Sequence, residues 1–396
     1  MTVAVKDYLQ VVKELNDWFA LDVIKRDKEG GVAKTQKDAI REAGLLHLLT
    51  PKEYGGAGEK WSTVLRLVRE FAKVDPSVAH LYGYHFLQLV APHMSSSKEQ
   101  KAFYYSESVK NNWFWGNAFN PLERKLIASK DGDRLILNGS KTFSTGSQDA
   151  DVLLVSWVTE VGEANVTDTV SGAAVIPLPR KGVTVHHNWD GIGQRQTESG
   201  SVTFDNVAVE LHEQLDYVYE NKSHFSKLSA VLSQIILANV FAGIAEGAIT
   251  SARDYTKYKS RPWIQSNVQE ASEDPYILHS YGEFYIKLQA AISLVEKANE
   301  KVDSIWHKDH QLTENERGNC ALLTSSANAF AGELALEVSN GIFAVMGARS
   351  ATTSNGFDRF WRNARTHTLH NPVSYKKKNI GNWFLNGAYP KPGAYS

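Results

Sequence analysis

Hydrophobic and polar positions change their spacing twice along the chain, and these changes divide it into three regions. Apolar residues recur at three- and four-residue intervals over Tyr8–Phe19 and Trp61–Val74, which predicts amphipathic helices. Between about 116 and 212 the apolar runs are short and bounded by turn residues, which predicts strands. Long helical patterns rich in alanine follow at Leu228–Lys259, Tyr276–His307 and Asn315–Met346. We therefore predict a helical domain, a β domain and a helical bundle over residues 1–115, 116–212 and 213–396.

The middle region carries enough short strands for a compact barrel or sandwich. Strands are predicted at Val152–Val158, Ala173–Ile176, Val183–His187 and Gly200–Phe204. Arg134–Leu137 precedes Asn138-Gly139, a pair typical of a hairpin with a type I′ turn. The hydroxyls of the loop Phe143–Ser147 either bind the ring atoms of a ligand or close a turn.

Composition and charge exclude several classes of protein. The chain has 396 residues with a formal net charge of −1, so it lacks the basic footprint of a protein that binds nucleic acid or an anionic membrane. Its single cysteine, Cys320, excludes an intramolecular disulfide and favours a reducing, cytoplasmic setting. Polar residues interrupt the most apolar stretch, Leu228–Ala248, so we predict a buried bundle helix rather than a membrane span.

The segment from Gly347 to Lys376 combines arginines, aromatic residues and two histidines. If it is helical, His367 and His370 lie on one face, because residues three apart are neighbours on a helix, and Pro372 then ends the helix. Guanidinium groups give the segment an anion-binding character through Arg349, Arg359, Arg362 and Arg365. The histidine pair alone is also compatible with a helix-end pair or with half of a metal site.

A second group of polar rings lies in AHLYGYHFLQLV, residues 79–90. His80 and Tyr84 are four apart and share a helix face, and polar rings in an apolar helix require hydrogen-bond partners when buried. Their spacing is equally compatible with a structural and with a functional role.

Several longer segments together resemble the acyl-CoA dehydrogenase superfamily over the whole chain. The segments are LLTPKEYGGAG, HLYGYH, NNWFWGNA, GIGQRQTESGS, RPW with EDPYILHSYGEF, and GFDRFWRNARTHTLHNPVSYK. The resemblance implies an α+β fold with an N-terminal helical domain, a middle β-barrel or sandwich domain and a C-terminal four-helix bundle. Acyl-CoA dehydrogenases commonly carry a catalytic glutamate after the arginine-rich strip, whereas this chain continues as Thr366–Asn371 without one. This departure favours the flavin-dependent monooxygenases of the same fold, and among them the dibenzothiophene monooxygenases of microbial desulfurisation.

That resemblance implies roles for specific residues. Binding of FMN is implied for Asn117, Thr145, Trp189, Arg261, Gly347, Arg349 and His367. Arg261 is expected to reach the flavin phosphate from a neighbouring subunit of a homo-oligomer, with a tetramer as the family's habit. Catalysis is implied for His370, His367, Tyr84, His80 and Thr145.

The implied reaction oxidises the sulfur of an apolar aromatic thiophene to the sulfoxide and the sulfone. Reduced FMN reacts with O₂ to form a C4a-hydroperoxyflavin, and a pocket that excludes water preserves this species. Our hypothesis is that His370, with a pKa near neutrality, supplies the proton that the flavin then needs, with His367 and Tyr84 positioning the peroxide.

The source of reduced FMN and the alternatives follow from the same segments. GIGQRQTESG lacks the glycine spacing of a dinucleotide-binding turn, which implies a separate NAD(P)H:flavin reductase. Oxygenation of an amine nitrogen or an indole carbon is a same-fold alternative. An acyl-CoA dehydrogenase and a non-catalytic flavin-binding protein are the remaining ones.

Overall fold

In the computed structural model one sheet domain lies between two helical regions along the chain. The structure describes residues 7–132, 134–159, 171–215 and 223–393. The first region contains α1 (Tyr8–Phe19), α2 (Val23–Glu29), α3 (Lys34–Glu42), α4 (Trp61–Ala72), α5 (Pro76–Leu89), α6 (Ala91–Ser95) and α7 (Lys98–Asn111). Polar side chains fix several helix starts: Asp75 accepts hydrogen bonds from the backbone N–H groups of Ser77 and Val78, and Pro76 occupies the first turn of α5. Helix α5, which carries His80 and Tyr84, is therefore set at a defined position and is buried along its length.

Among the described residues the sheet has eight strands, and most strand pairs are antiparallel. They are β1 (Trp115–Ala118), β2 (Ile127–Asp131), β3 (Arg134–Lys141), β4 (Val152–Thr159), β5 (Gly172–Pro177), β6 (Val183–Val185), β7 (Val202–Val209) and β8 (Gln214–Leu215). The strand order is β6-β7-β3-β2-β4-β5-β8, with β1 parallel to β4. A short parallel pairing of β2 with β4 joins the two halves of the sheet, which enclose a core of their own.

The hairpin predicted at Asn138-Gly139 is wrong. Strand β3 runs through both residues, and its register with β7 shifts between Leu137 and Gly139. Gly139 has a φ of +126°, and a Cβ there would lie 1.8 Å from the carbonyl oxygen of Lys125. The glycine therefore serves a strand irregularity and a close backbone approach. The reversal occurs earlier, because Asp131 of β2 already pairs with Arg134 of β3.

The second helical region consists of α8 (Ser229–Tyr258), α9 (Pro275–Trp306), α10 (Glu314–Met346), α11 (Asp358–Thr368) and α12 (Val373–Asn386). Helices α8 and α10 are long and apolar enough to cross a membrane by length and composition alone, but 78% and 56% of their most apolar windows are buried in the protein. Helices α8 and α10 pack against each other, and α8 also packs against α4 and α5. The two helical regions consequently share one hydrophobic core, in agreement with the buried bundle helix predicted for Leu228–Ala248.

The helix that carries His367 is shorter than the sequence predicts. Helix α11 ends at Thr368, and the backbone N–H of His370 donates to the carbonyl oxygen of His367 at 3.0 Å. His370 therefore lies just beyond the helix end instead of on the face of His367. Pro372 precedes α12, where its fixed φ is compatible with a helix start.

Candidate active site

A cavity of about 720 Å³ lies where the sheet domain meets α5, α8 and α11. Its polar lining includes the predicted residues His80, Tyr84, Asn117, Thr145, Trp189, His367 and His370. The fold thus brings together residues from three distant parts of the sequence. Apolar side chains such as Leu87, Phe119 and Leu154 make up much of the remaining wall.

Two histidines form the centre of the helical wall. His80 Nδ1 and His367 Nε2 are 2.8 Å apart, and the two rings are nearly perpendicular. The ring of Tyr84 packs edge-on against that of His80, with 4.1 Å between the ring centres. His80 and Tyr84 therefore share a helix face as the spacing predicts, and that face is directed at the cavity.

Burial keeps the central histidines neutral. Desolvation lowers the pKa of His80 to about 3 and that of His367 well below its ordinary value. A neutral imidazole carries one N–H, so in the hydrogen bond between the rings one histidine donates and the other accepts. The outer atoms, His80 Nε2 and His367 Nδ1, have no partner among the described residues. One of these two atoms then carries a proton and the other a lone pair.

Tyr84 and His370 form a second polar group beside this pair. The Tyr84 hydroxyl lies 2.9 Å from Ser233 Oγ and 3.4 Å from His370 Nε2. His370 is exposed to the open cavity, yet protein surrounds it closely, and this desolvation together with Lys376 lowers its pKa to about 4. The expectation of a near-neutral pKa thus differs from the structure, because the sequence does not reveal how much protein surrounds His370.

The opposite wall comes from the sheet domain and consists of hydroxyl and amide groups. Thr145 Oγ1 lies 2.9 Å from Ser199 Oγ, which lies 2.8 Å from Thr197 Oγ1. Thr197 donates in turn to the carbonyl oxygen of Gln194 at 2.9 Å. Both the backbone N–H and the side-chain amide of Asn117 donate to the Thr145 carbonyl oxygen. This chain of hydroxyls, the hydroxyl chain below, fixes Thr145 at the cavity surface.

A buried ion pair lies behind the hydroxyl chain. Lys37 Nζ is 2.7 Å from Glu198 Oε2 and also donates to the Gln148 carbonyl oxygen, while the backbone N–H of Ala33 donates to Glu198 Oε1. Burial raises the pKa of Glu198 to about 7 in spite of the neighbouring ammonium group. The pair attaches the loop 189–199 to α3.

Apart from Trp189, the loop 189–199 is the part of the site that the sequence did not reveal. It supplies Gln194, Thr197 and Ser199 to the cavity, and Arg26 Nη1 holds it by donating to Gln196 Oε1 at 2.7 Å. Its GIGQRQTESG segment contributes to the family resemblance and lacks a dinucleotide-binding pattern, but none of its residues was predicted to line the site. The density of polar residues between two strands was the available signal, but it does not indicate which of them face a cavity.

The predicted phosphate-binding residues lie outside the cavity. Arg261, Gly347 and Arg349 are all exposed on the surface. Their two segments adjoin, because Ser260 Oγ donates to the Met346 carbonyl oxygen at 2.9 Å. The structure therefore places these three residues together but separates them from the seven predicted residues in the cavity.

Two of the four C-terminal arginines are used within the protein rather than for anion binding. Arg362 forms ion pairs with Asp27 at 2.5 Å and Asp358 at 2.8 Å. Arg359 is buried, donates to the Gly356 carbonyl oxygen and lies 4.1 Å from the centre of the Phe360 ring. The anion-binding character expected from all four is thus wrong for this pair.

The residues of the cavity fit a flat heterocycle with polar edges. The indole of Trp189 offers an aromatic surface, and unpartnered polar atoms of His80, His367 and Gln194 lie in the wall. Buried polar groups normally have a partner, so these atoms indicate a ligand with donors and acceptors. In the described part of the chain no group of three His, Cys, Asp or Glu side chains is arranged to hold a metal ion.

Family models match nearly the whole chain. They are the N-terminal, middle and C-terminal domains of acyl-CoA dehydrogenase, over residues 10–111, 116–207 and 235–375. The chain is 40% identical over 388 residues to the probable FMNH2-dependent monooxygenase SfnC of Pseudomonas putida, covering 98% of this chain and 97% of that protein.

Solved structures agree with these matches. The methanesulfinate monooxygenase MsuC from Pseudomonas fluorescens superposes with a TM-score of 0.95 at 41% identity, covering 99% of this chain and 100% of the other. The dibenzothiophene monooxygenase TdsC from Paenibacillus sp. A11-2, in complex with FMN and indole, gives a TM-score of 0.91 at 40% identity, with 98% and 99% covered.

The chain belongs to the acyl-CoA dehydrogenase family. Within this family it is a flavin-dependent monooxygenase, and its cofactor is FMN. The segment Thr366–Asn371 contains no glutamate and contributes two histidines to the cavity.

Proposed function

We propose that this protein is the oxygenase of a two-component system and that it oxidises the sulfur of neutral, dibenzothiophene-like thiophenes to the sulfoxide and the sulfone. A separate NAD(P)H:flavin reductase supplies the reduced FMN. The observation that carries the proposal is the pairing of a neutral histidine wall with a cavity that is apolar and nearly uncharged.

The charge of the lining favours a neutral substrate. Among the described residues that line the cavity, Glu123 is the one carboxylate and there is neither a lysine nor an arginine. The histidines add no positive charge at neutral pH, because burial lowers the pKa values of His80 and His367. An anionic sulfinate, the kind of substrate in the name of MsuC, would lie there without a cation to balance its charge.

The entrance favours an apolar substrate. Phe143, Ile192 and Leu369 surround the mouth with exposed fractions of 62%, 56% and 63%. Such an apolar rim desolvates an aromatic substrate as it enters and limits the access of water once the cavity is filled.

The residues have distinct roles in this proposal. Reduced FMN bound here would supply the activation of O₂ and the transfer of one oxygen atom to the sulfur, while the other oxygen atom leaves as water. Asn117, Thr145 and Trp189 hold its ring system against the sheet domain. His80 and His367 present one N–H at the reacting face and accept a proton on the opposite side of the pair, so that a proton passes without a charged imidazole. Tyr84 and His370 place further donors beside it.

The test is a reconstituted assay with the purified protein, FMN, NADH, a flavin reductase, O₂ and dibenzothiophene, with the products identified by mass. We expect successive gains of one and two oxygen atoms that require both proteins. Hydrogen peroxide with unchanged dibenzothiophene would refute the substrate class. Parallel reactions with methanesulfinate and indole then identify the class that is used.

Oxygenation of an indole carbon is the second candidate, because TdsC has been solved with indole in complex. Both substrates are flat and neutral, so the cavity accepts either shape. An amine nitrogen is a weaker variant of this candidate, since Glu123, the one carboxylate of the lining, already accepts a hydrogen bond from Thr142.

We also propose a cytoplasmic homotetramer in which Arg261 and Arg349 bind the FMN phosphate across a subunit interface. Support comes from the exposed position of both arginines and from apolar side chains exposed on α9 and α12, namely Tyr276, Tyr285, Ile286, Phe384 and Leu385. An Arg261→Ala variant should bind FMN about 10-fold more weakly and riboflavin, which lacks the phosphate, equally well. Equal loss for both flavins would contradict the assignment, and light scattering measures the assembly.

A further inference from the structure

Gln194 is a buried side chain whose role none of the preceding assignments explains. It lies at the cavity wall with an exposed fraction of 1%, and neither its Nε2 nor its Oε1 has a partner among the described residues. Burying an amide without a hydrogen-bond partner costs free energy, because its hydrogen bonds to water are lost and not replaced. Such groups are therefore uncommon in folded proteins.

The backbone of Gln194 is held firmly in an unfavourable conformation. Its φ is +54°, in the left-handed region that glycine and asparagine tolerate better than glutamine. Its N–H donates to Asn363 Oδ1 at 2.5 Å, and its carbonyl oxygen accepts from Trp189 Nε1 at 2.7 Å and from Thr197 Oγ1. Strain of this kind persists where the surrounding contacts fix it, often at functional sites. These bonds therefore fix the origin of the side chain at the cavity wall.

The neighbours of Gln194 indicate the shape of its ligand. The hydrogen bond from the Trp189 indole joins an aromatic surface to the residue that carries the free amide. A primary amide presents a donor and an acceptor side by side, which complements a ring edge with an N–H next to a C=O. A flat ring on Trp189 with such an edge directed at Gln194 would use both features.

A second glutamine shows that an unpartnered amide is not by itself sufficient. Gln234 on α8 is also buried, with an exposed fraction of 3%, and both of its amide atoms lack partners in the described part of the protein. It does not line the cavity, however, and its backbone lies in a regular helix. Gln194 differs because it lines a ligand-sized cavity, which makes Gln234 the matched control.

We propose that the Gln194 side chain binds the imide edge of the FMN ring system, donating to a ring carbonyl and accepting from the N3–H. The inference rests on the placement of the FMN ring at Trp189 proposed above and is independent of the sulfur substrate. Gln194 thereby selects the flavin heterocycle and sets its position against Trp189, so it is a cofactor-binding residue and takes no part in proton transfer.

The test compares FMN with FMN methylated at N3, which lacks the imide donor. Anaerobic titrations of the reduced flavins, followed by absorbance and fluorescence, give their affinities for the unchanged protein and for the Gln194→Leu and Gln234→Leu variants. We expect the unchanged protein and Gln234→Leu to prefer FMN over its N3-methyl form by about 10-fold. In Gln194→Leu the preference should fall to about twofold or less, because leucine has a similar size but no polar atoms.

An equal preference in all three proteins would overturn the proposal, because the imide edge would then be recognised elsewhere. Thermal unfolding checks that each variant is folded. If Gln194→Leu does not fold, Gln194→Glu decides the question: it keeps the acceptor for N3–H but loses the donor. It should bind FMN more weakly while retaining the preference over the N3-methyl form, and loss of that preference with unchanged FMN affinity would refute the assignment.

Discussion

The two walls of the cavity consist of different kinds of side chain, which suit different chemical roles. The helical wall consists of titratable rings, His80, His367, Tyr84 and His370, and burial holds its central imidazoles neutral. The sheet wall consists of hydroxyls and amides that bond to one another and rest on the Lys37–Glu198 ion pair. One wall thus retains free donors and acceptors, whereas the other is largely satisfied. We infer that the first acts on protons and that the second determines where the flavin lies.

The largest expected effect tests the helical wall. His370→Phe should lower the rate of substrate oxygenation by about 10²–10⁴-fold, because it removes a donor beside the reacting face. Hydrogen peroxide released per reduced FMN consumed should rise in parallel. His212→Phe is the control, since His212 is exposed and lies outside the cavity. An unchanged rate with full coupling to O₂ would refute the role of His370.

The next effect tests the support of the sheet wall. Glu198→Leu should lower the free energy of unfolding by about 3–5 kcal/mol, because it leaves the ammonium group of Lys37 buried without its counter-charge. Combining it with Lys37→Met should recover much of this loss, since no charge then remains. Denaturation by urea measures both variants. A double variant no more stable than Glu198→Leu would show that the ion pair is not the support that the contacts indicate.

A smaller effect is the change in the free energy of unfolding with pH. Its sign is opposite for the buried histidines of α5 and for Glu198 behind the sheet wall. His80 of the helical wall and His85, which is buried on the same helix but does not line the cavity, have folded pKa values of about 3. These values lie below the ordinary value of 6.5, so unfolding takes up protons between them. Stability from these residues is present above pH 6.5 and falls on acidification, by up to about 1.4 kcal/mol per pH unit for each histidine. Glu198, with a pKa raised from 4.5 to about 7, has the opposite sign and loses stability as pH rises through this range.

Urea denaturation at pH 7 and pH 5.5 measures the balance. Because His85 and His80 together outweigh Glu198, we expect lower stability at pH 5.5. Higher stability at pH 5.5 would indicate that the carboxyl group of Glu198, behind the sheet wall, dominates the pH dependence instead.

The smallest effect concerns Thr145. Thr145→Val should weaken the binding of reduced FMN by about fivefold to 10-fold, the value of roughly one hydrogen bond. Stability should change little, because valine keeps the size of threonine. Thr184→Val on β6 is a control outside the cavity. If both variants bind FMN equally well, the hydroxyl chain supports the wall without contacting the flavin.

Local patterns determined most of the fold. The helices predicted at Tyr8–Phe19 and Leu228–Lys259 have bounds within about one residue of the observed helices. Their bounds are predictable because a buried helix face repeats its apolar positions along the sequence. The prediction of a hairpin at Asn138-Gly139 was wrong because a glycine suits a strand irregularity as well as a turn. The pair of residues does not tell which of the two conformations the pairing with a distant strand imposes. The segments that resemble a flavin-dependent monooxygenase also identified the family.

The sequence by itself therefore determined the order of the three regions, the family and seven of the residues that line the cavity. Tertiary structure alone decided that two neutral histidines share a hydrogen bond and that Lys37 supports Glu198 behind the hydroxyl chain. It also decided that Gln194 lines the cavity with a buried amide that has no partner among the described residues. The physical reason is that burial and proximity set protonation and hydrogen bonding, and both depend on segments far apart in the chain. Residue type and local spacing carry no information on either quantity.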